Sequence, residues 1–335
     1  TDPRRAGGRL PPPGWCRRGA GSGLMCAMTH AFRFGAKATR ATSGKEWRDL
    51  AKQAEDLGYA SFQIDDHFGN QLAPVPAIMA AAAATEKIYV GPHVAGIDFR
   101  NPVLFAKEAA TIDLLSDGRM MLGLGAGWSK DDYAIAGIEQ APASTRIERL
   151  GEAVTIMRGL WGAEPFSFEG AHFTVAESNA MPKPVNQIPI LIGGGGQKLL
   201  TLATQVADIV GINPKIVGKS INPRSMATAA ADAVDEKIGF VKAAAGDRFG
   251  EIELQLQLFK TVVKDEPGPT AGAPTKAFEM PPEVVATAPF FQIGSVAQIK
   301  ENLIAMRERW GISYIVCQND GTQALAPIVA ELAGT

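Results

Sequence analysis

The sequence has few of the residues that build metal sites or disulfide frameworks. It contains 335 residues but only four histidines and three cysteines. The spacing of Cys16, Cys26 and Cys317 fits neither a zinc site nor a set of disulfides. We therefore expect free thiols in a reducing compartment, which indicates a cytoplasmic location.

Long apolar runs and an excess of one charge are also missing. No apolar run reaches the roughly 18 residues of a membrane span. The formal net charge of −2 gives no overall basic field for nucleic acid or a membrane surface. With 46% hydrophobic and 20% charged residues, the composition is globular. We therefore expect neither nucleic acid nor a membrane as partner.

Several catalytic motifs are absent as well. There is no HxH or HExxH metal motif, no GxSxG nucleophile elbow and no Walker loop. We therefore expect no metal. A Schiff-base lysine is not indicated either, because Lys37 and Lys260 stand near the ends of predicted strands, where we expect solvent to reach them.

The first 27 residues differ from the rest of the chain. They are rich in proline, glycine and arginine, and their five arginines and one aspartate sum to about +4, which leaves about −6 elsewhere. They lack the apolar region of a secretion signal. We interpret residues 1–27 as a disordered extension, or as upstream sequence foreign to the natural protein, with a basic arm for a polyanion as the alternative. Residues 28–335 are predicted to form one domain.

From Phe32 onward, short apolar strands alternate with segments of helical periodicity. The predicted strands are Phe32–Ala38, Tyr59–Ile64, Ile88–Val94, Met120–Gly127, Ile188–Ile192, Ala207–Ile212, Glu251–Phe259 and Ser313–Cys317. The predicted helices are Thr42–Leu57, Pro76–Thr85, Pro102–Leu115, Ser144–Leu160, Gln197–Val206, Ser225–Ala245, Val296–Trp310 and a last helix ending near Leu332.

Eight strands, each followed by a helix, are typical of an α/β fold of the (β/α)8 TIM-barrel type, with a doubly wound open sheet as the alternative. Residues 163–188, which follow the fourth strand and its helix, interrupt the alternation and include a predicted hairpin. Residues 265–290, after the seventh strand, contain six prolines and are predicted to form a long loop or lid.

A TIM barrel places its active site at the carboxyl ends of its strands. His67 follows the second strand directly behind Asp65 and Asp66, and His93 ends the third. Histidine exchanges protons near neutral pH, and a neighbouring carboxylate would stabilise its charged form. We expect His67 to take part in proton transfer, with a turn-capping role as the alternative. His30 and His172 are expected to be structural.

Two glycine-rich runs end the fourth and fifth strands, and Asn213 follows the sixth. The first run is Gly125, Ala126, Gly127 and Trp128, and the second is Gly193, Gly194, Gly195, Gly196, Gln197 and Lys198. A glycine run between a strand and a helix lets the backbone approach a phosphate at the helix N-terminus. The alternative for both runs is close packing, and Trp128 is expected either to face an aromatic ligand or to cap the rim.

Several pieces in order along the chain resemble one family. They are DDHFG, GPHVAGIDFRNPVLFAKEAATIDLLSDGRMMLGLGAGW, RIERLGEAVTIMRGLW, MPKPVNQIPILIGGGG and VADIVGIN. Together they look like the luciferase-like flavin and deazaflavin oxidoreductases, and more specifically the actinobacterial F420-dependent branch. The resemblance extends from about Phe32 to Leu332. It implies a barrel with an insertion after the fourth strand, a deazaflavin or flavin as hydride carrier, and often a homodimer.

The resemblance also assigns roles to individual residues. It places Asp66 and His67 near the redox ring, and a non-prolyl cis peptide at His93–Val94, followed by Ala95, against the ring face. It places the cofactor along both glycine runs, with its phosphate at the second. Two positions depart from the sugar-phosphate dehydrogenases of that branch. Trp128 stands where they have glutamate, and Gly69-Asn70-Gln71 stands where they have a tryptophan.

We therefore predict an F420-dependent oxidoreductase that transfers a hydride between the deazaflavin and a small organic substrate. His67, oriented by Asp66, would donate or accept the proton. The alternatives are an FMN-dependent luciferase-like monooxygenase using O₂ and a non-catalytic protein that binds flavin or F420. The sequence does not identify the substrate.

Overall fold

The computed structural model describes residues 30–218, 222–264, 280 and 282–335. The predicted extension, residues 1–27, lies outside them. In chain order the strands are β1 Arg33–Lys37, β2 Ser61–Ile64, β3 Tyr89–Pro92, β4 Ala95–Gly96, β5 Leu122–Gly125, β6 Phe166–Glu169, β7 Thr174–Ser178, β8 Ile190–Gly194, β9 Ile209–Ile212, β10 Glu253–Gln257, β11 Lys260–Val263, β12 Phe291–Gly294 and β13 Ile312–Gln318.

The α-helices pack around these strands. They are α1 Gly44–Asp56, α2 Pro74–Ala82, α3 Pro102–Leu115, α4 Lys130–Ala136, α5 Ala143–Trp161, α6 Gln197–Val206, α7 Pro223–Ala227, α8 Ala231–Ala245, α9 Pro282–Thr287, α10 Val296–Trp310 and α11 Asn319–Leu332. None of these helices has the length and apolar character that crossing a bilayer would require in the part of the chain described.

Nine strands form one parallel sheet that closes into a barrel. Their order is β3-β2-β1-β13-β10-β9-β8-β5-β4. β3 and β4 are two pieces of one barrel strand, separated by His93 and Val94. The circle closes where the Val90 N–H donates to the Arg119 carbonyl and the Met121 N–H donates to the Val90 carbonyl, both at 2.9 Å. The predicted TIM barrel is confirmed.

Two apolar layers stabilise the barrel. The larger lies between the strands and the helices and includes Leu254, Leu256 and Leu258. A smaller one lies inside the barrel and is built from Met121, Leu191, Ile209, Tyr314 and Val316. Because successive side chains of a strand point to opposite faces, the period-two pattern of the seventh barrel strand supplies leucines to the outer layer.

Polar side chains share the barrel interior with the smaller apolar cluster. Arg33 and Glu253 are both buried and form an ion pair with 2.6 Å between Nη1 and Oε2. The Arg33 guanidinium also lies 4.5 Å from the centroid of the Tyr314 ring. The Tyr314 hydroxyl forms a 2.5 Å hydrogen bond with the Ser61 hydroxyl. These contacts fill the barrel interior below the rim.

The structure confirms the predicted insertion after the fourth barrel strand. β6 and β7 form an antiparallel hairpin there. The hairpin tip is tied to α5, because the Glu152 carboxylate accepts hydrogen bonds from the backbone N–H groups of Ala171, His172 and Phe173. The insertion therefore packs beside the helix that precedes β8.

Three details of the predicted secondary structure are wrong. The predicted loop 265–290 contains α9, which begins at Pro282 where proline is tolerated, and β11 pairs in parallel with β12 across it. The predicted helix 225–245 is two helices, α7 and α8, with a break at 228–230, where the Thr228 carbonyl accepts from Lys237 Nζ. The short helix α4 was missed. Residues 265–279 and 281 of the predicted loop lie outside the described ranges.

Candidate active site

The carboxyl ends of the barrel strands surround a cavity of 1410 Å³. The sequence-predicted residues on its wall are Asp65, Asp66, His67, His93, Val94, Gly125, Ala126, Gly127, Trp128, Gly193, Gly194, Gly195, Gly196, Gln197, Lys198 and Asn213. Ala95 differs from its neighbours, because its side chain is fully buried and does not line the cavity. The barrel thus brings together residues that are up to about 150 positions apart in the sequence.

The floor of the cavity lies where the third barrel strand is interrupted. The His93–Val94 peptide bond is cis and non-prolyl, as the sequence resemblance implies. The Val94 side chain occupies space that glycines provide, because a Cβ on Gly125 would lie 2.7 Å from Val94 Cγ2 and one on Gly123 would lie 3.2 Å from Cγ1. Gly123 and Gly125 therefore make room for an apolar floor at Val94.

His93, the residue before Val94, also lines the cavity and is almost fully buried. Burial, and secondarily the positive charge of Lys37, lower the pKa of His93 to about 4. The imidazole is therefore neutral near pH 7, and His93 cannot supply a positive charge to a ligand above it.

His67 stands on the wall beside Trp128 and is only partly exposed. Its Nδ1 lies 2.6 Å from Oδ2 of Asp132, a residue of α4. Its ring meets the Trp128 ring edge to face, with 5.5 Å between the centroids. Asp132 also accepts the backbone N–H of Phe68 at 3.1 Å. One carboxylate therefore holds both the imidazole and the backbone that follows it.

The structure corrects the expected partner of His67. Asp66 does not orient it, because the Asp66 carboxylate accepts two hydrogen bonds from the Arg100 guanidinium, one of them at 3.0 Å, and a third at 3.0 Å from the Gly96 N–H. Asp66 therefore turns towards β4, while His67 turns towards α4.

The sequence does contain a signal for α4 that we missed. Ser129-Lys130-Asp131-Asp132 has the S-x-x-D spacing of a helix N-terminus. In the structure the Ser129 hydroxyl accepts from the Asp132 N–H at 3.3 Å, and the helix ends at Gly137 with a positive φ of 67°. The spacing predicts the helix, but it does not predict that Asp132 would reach His67.

A second correction concerns Lys37, which we expected solvent to reach. Its side chain is only 3% exposed, and its Nζ lies 2.8 Å from Oδ1 of Asp65. Lys37 also lines a second cavity, of 790 Å³, at the ends of β1, β10 and β13. Lys37, Phe259 and Gln318 form a wall common to both cavities. Lys260 is partly exposed, as expected, and pairs with Asp320 at 2.5 Å.

The second glycine run lies between β8 and α6. Packing explains part of it, because a Cβ on Gly195 would lie 2.4 Å from the Asn213 carbonyl oxygen and one on Gly194 would lie 2.6 Å from Leu199 Cδ2. Packing does not explain Gly196, since a Cβ there would meet no atom within 4 Å. Gly196 is the N-cap of α6, so the helix N-terminus faces open space in the cavity wall.

The cation of this run is already paired. Lys198 Nζ donates to Glu148 Oε1 at 2.8 Å, and Nε2 of His172, in the inserted hairpin, lies 3.5 Å from Glu148 Oε2. Lys198 and Glu148 are each about half exposed. Within the described ranges, no group of three or more His, Cys, Asp or Glu side chains is arranged to hold a metal ion.

Comparison with known proteins identifies the family. A family model described as luciferase-like monooxygenase matches residues 25–245, about two thirds of the chain. The chain belongs to the luciferase-like monooxygenase family. Two curated relatives of this luciferase-like chain are F420-dependent glucose-6-phosphate dehydrogenases. The protein of Microbacterium testaceum (strain StLB037) is 32% identical over 190 residues, 54% of this chain and 56% of the relative.

The second relative, from Amycolatopsis mediterranei (strain U-32), is 30% identical over 172 residues, 48% of this chain and 52% of the relative. The luciferase-like chain thus spans about half the length of the curated relatives it matches. Among solved structures, an F420-dependent secondary alcohol dehydrogenase in complex with an F420-acetone adduct superposes with a TM-score of 0.74 at 19% identity. The match covers 90% of this chain and 99% of the other, which supports the shared barrel fold.

Proposed function

We propose that this protein is an F420-dependent oxidoreductase that transfers a hydride between the deazaflavin and a small organic substrate. The observation that carries the proposal is the placement of His67 beside the apolar floor at Val94, within one cavity that the two glycine runs complete. The names of the two curated relatives and the family match agree with it.

The residues present fit a deazaflavin. Val94, with Gly123 and Gly125 behind it, offers an apolar surface to a flat ring. Gly196 leaves the N-terminus of α6 open, where backbone N–H groups and the helix dipole favour a phosphate. Lys198, the second residue of α6, can add a positive charge there. When bound, the deazaflavin supplies or accepts the hydride.

In this proposal the protein handles the proton. Reduction of a carbonyl, for example, needs a hydride on carbon and a proton on oxygen, and His67 donates that proton. In the reverse direction His67 accepts the proton of the alcohol as the hydride leaves. The Trp128 ring, which packs against the imidazole, keeps bulk water from one side of His67.

Binding of the two cofactors tests the proposal directly. Titration of the full chain with F420 and with FMN, followed by fluorescence, is expected to show micromolar or tighter binding of F420 and much weaker binding of FMN. Tight FMN binding without F420 binding would overturn the proposal in favour of the FMN-dependent monooxygenase. Tight F420 binding without turnover of any secondary alcohol or sugar phosphate would favour the non-catalytic alternative.

Replacing His67 separates catalysis from binding. His67→Asn is expected to lower kcat by about 10²- to 10⁴-fold, the range typical of a general acid or base, with little change in the Kd for F420. His172→Asn is the matched control outside the cavity wall. Unchanged turnover in the His67 variant would remove its proposed role.

We also propose that two copies of the chain form a homodimer in the cytoplasm. Leu114 and Leu115 at the end of α3 are exposed, and so is Val185, whose N–H is held at 2.8 Å by Asp113 of the same helix. These side chains form apolar surface that a second copy would cover. Light scattering behind a sizing column tests this, and a monomer at micromolar concentration would contradict it.

A further inference from the structure

α4 brings a carboxylate to His67 from a different loop of the barrel. Asp132 is buried, its Oδ1 accepts a hydrogen bond from the Phe68 N–H at 3.1 Å, and its Oδ2 lies 2.6 Å from Nδ1 of His67. An aspartate carboxyl is ionised near pH 7 and can then only accept hydrogen bonds, so Nδ1 is the donor in the bond between His67 and Asp132.

The ionisation of Asp132 agrees with this geometry. Burial alone would raise the pKa of Asp132, but the hydrogen bonds from His67 and the Phe68 amide outweigh burial, so the pKa is lowered. The two acids next to His67 in the chain have other partners, Asp66 pairing with Arg100 and Asp65 with Lys37. Asp132 is therefore the carboxylate that acts on His67.

α4 is held rigidly enough to fix a side chain. Tyr133, the next residue, is buried and donates to Asp98 Oδ2 at 2.8 Å. Gly127, with a φ of 71°, lies so close that a Cβ there would be 2.4 Å from the Tyr133 hydroxyl. The contact joins α4 to the end of β5, and Trp128 packs against the imidazole from the same turn.

We propose that Asp132 is a positioning residue that holds His67 as the Nδ1–H tautomer, which leaves Nε2 as the nitrogen that exchanges a proton with the substrate. This inference rests on the proposed role of His67. In this proposal Asp132 acts through His67. It fixes the direction of the imidazole, so the proton leaves and returns at one defined atom.

The tautomer is measurable without cofactor or substrate. The chain has only four histidines, so long-range ¹H–¹⁵N correlation spectra of the labelled full-length protein can be assigned by comparison with His67→Asn. In the wild type we expect a protonated Nδ1 and an unprotonated Nε2 at high pH. In Asp132→Asn the ratio of the two tautomers is expected to change by at least about tenfold, because a hydrogen bond to a charged acceptor is lost.

Asp131→Asn is the matched control, since Asp131 is an exposed carboxylate next to Asp132 in the same helix turn. It is expected to leave the tautomer unchanged. Asp132→Asn keeps an oxygen for the Phe68 N–H, so the fold is expected to survive, and circular dichroism checks this. If that variant does not fold, the wild-type spectrum still decides, because a protonated Nε2 there overturns the proposal.

Turnover gives the second readout. In F420-coupled assays with glucose 6-phosphate and a secondary alcohol as probes, Asp132→Asn is expected to lower kcat at least about tenfold, to leave the Kd for F420 unchanged and to move the pH profile to lower pH. Asp132→Glu should restore part of the loss. A tautomer that does not respond to Asp132→Asn overturns the inference. A wild type that binds no F420 overturns the proposed function and leaves the tautomer result standing.

Discussion

Lys37 and Asp65 form an ion pair, 2.8 Å from Nζ to Oδ1, on the wall between the two cavities at the barrel rim. Lys37 ends β1, and Asp65 follows β2, the neighbouring strand. Lys37 is almost fully buried, whereas Asp65 keeps some exposure. Water therefore screens the pair on one side only.

The first prediction concerns this pair. Lys37→Met leaves Asp65 without its cation, and removal of one member of a buried pair costs about 3–5 kcal/mol. We expect the free energy of unfolding, measured in urea, to fall by about 3 kcal/mol. This is the lower end of the range, because Asp65 is partly hydrated. Lys37→Met combined with Asp65→Asn should cost less than the sum of the two single changes.

Lys45→Met is the matched control for Lys37→Met. It breaks the Lys45–Asp49 pair of α1, which has a 2.5 Å contact but lies in solvent. Exposed pairs of this kind contribute little to stability. A Lys37 variant as stable as the Lys45 variant would show that the buried pair adds nothing.

The second prediction concerns the pH dependence of stability. Burial, with the charge of Lys37, lowers the pKa of His93 from 6.5 to about 4. The unfolded chain therefore binds a proton at this residue before the folded chain does. Stability from the neutral imidazole is present above pH 6.5 and is lost as the pH falls towards 4, by about 3 kcal/mol in total.

His93→Gln removes this contribution. As the pH falls from 6.5 to 4, we expect the wild type to lose more free energy of unfolding than His93→Gln does. Urea unfolding at several pH values measures this difference. The carboxylates that titrate in the same pH range contribute equally to both proteins, so their contribution cancels in the difference. Parallel curves for the two proteins would show that His93 is not buried in its neutral form.

The third prediction separates packing from phosphate binding in the second glycine run. Gly195→Ala places a Cβ 2.4 Å from the Asn213 carbonyl oxygen, so it should destabilise the fold by about 1–3 kcal/mol. Gly196→Ala meets no atom within 4 Å and should cost less than about 1 kcal/mol, the loss expected at an N-cap.

In F420 binding the order of the two variants is expected to be reversed, so that Gly196→Ala has the larger effect. If the phosphate approaches α6 at Gly196, the added methyl group should weaken F420 binding in a protein that is nearly as stable as the wild type. Fluorescence titration measures this. An F420 affinity unaffected by Gly196→Ala would place the phosphate elsewhere.

The fourth prediction concerns the pair at the start of α6. Lys198→Met should raise the Kd for F420 about tenfold, since a charge-assisted hydrogen bond to phosphate is lost. Glu148→Gln should lower the Kd, because Glu148 competes with the phosphate for Lys198 at 2.8 Å. Lys215→Met, at another exposed position on the cavity wall, is the control. Equal effects of the two lysine variants would indicate only a general electrostatic attraction.

The periodicity of the sequence predicted most of the barrel. The bounds of the helices Pro102–Leu115, Gln197–Val206 and Val296–Trp310 agree with the structure to the residue, because proline, glycine and apolar spacing mark both ends. α4 is shorter than two full turns of apolar periodicity, so its pattern was too weak to see. The parallel pair β11 and β12 joins segments about thirty residues apart, and no local pattern specifies such a pairing.

The sequence by itself determined the barrel, the rim on which the glycine runs and His67 meet, and the family that carries them. Alternation of strands and helices suffices for this, because the barrel places every strand end on one face. Only the tertiary structure decided which aspartate forms a hydrogen bond with His67. Asp66 is next to His67 in the chain and turns away from it, whereas Asp132 is 65 positions on and lies 2.6 Å from its ring. Side-chain direction depends on packing across elements, and local sequence does not contain that information.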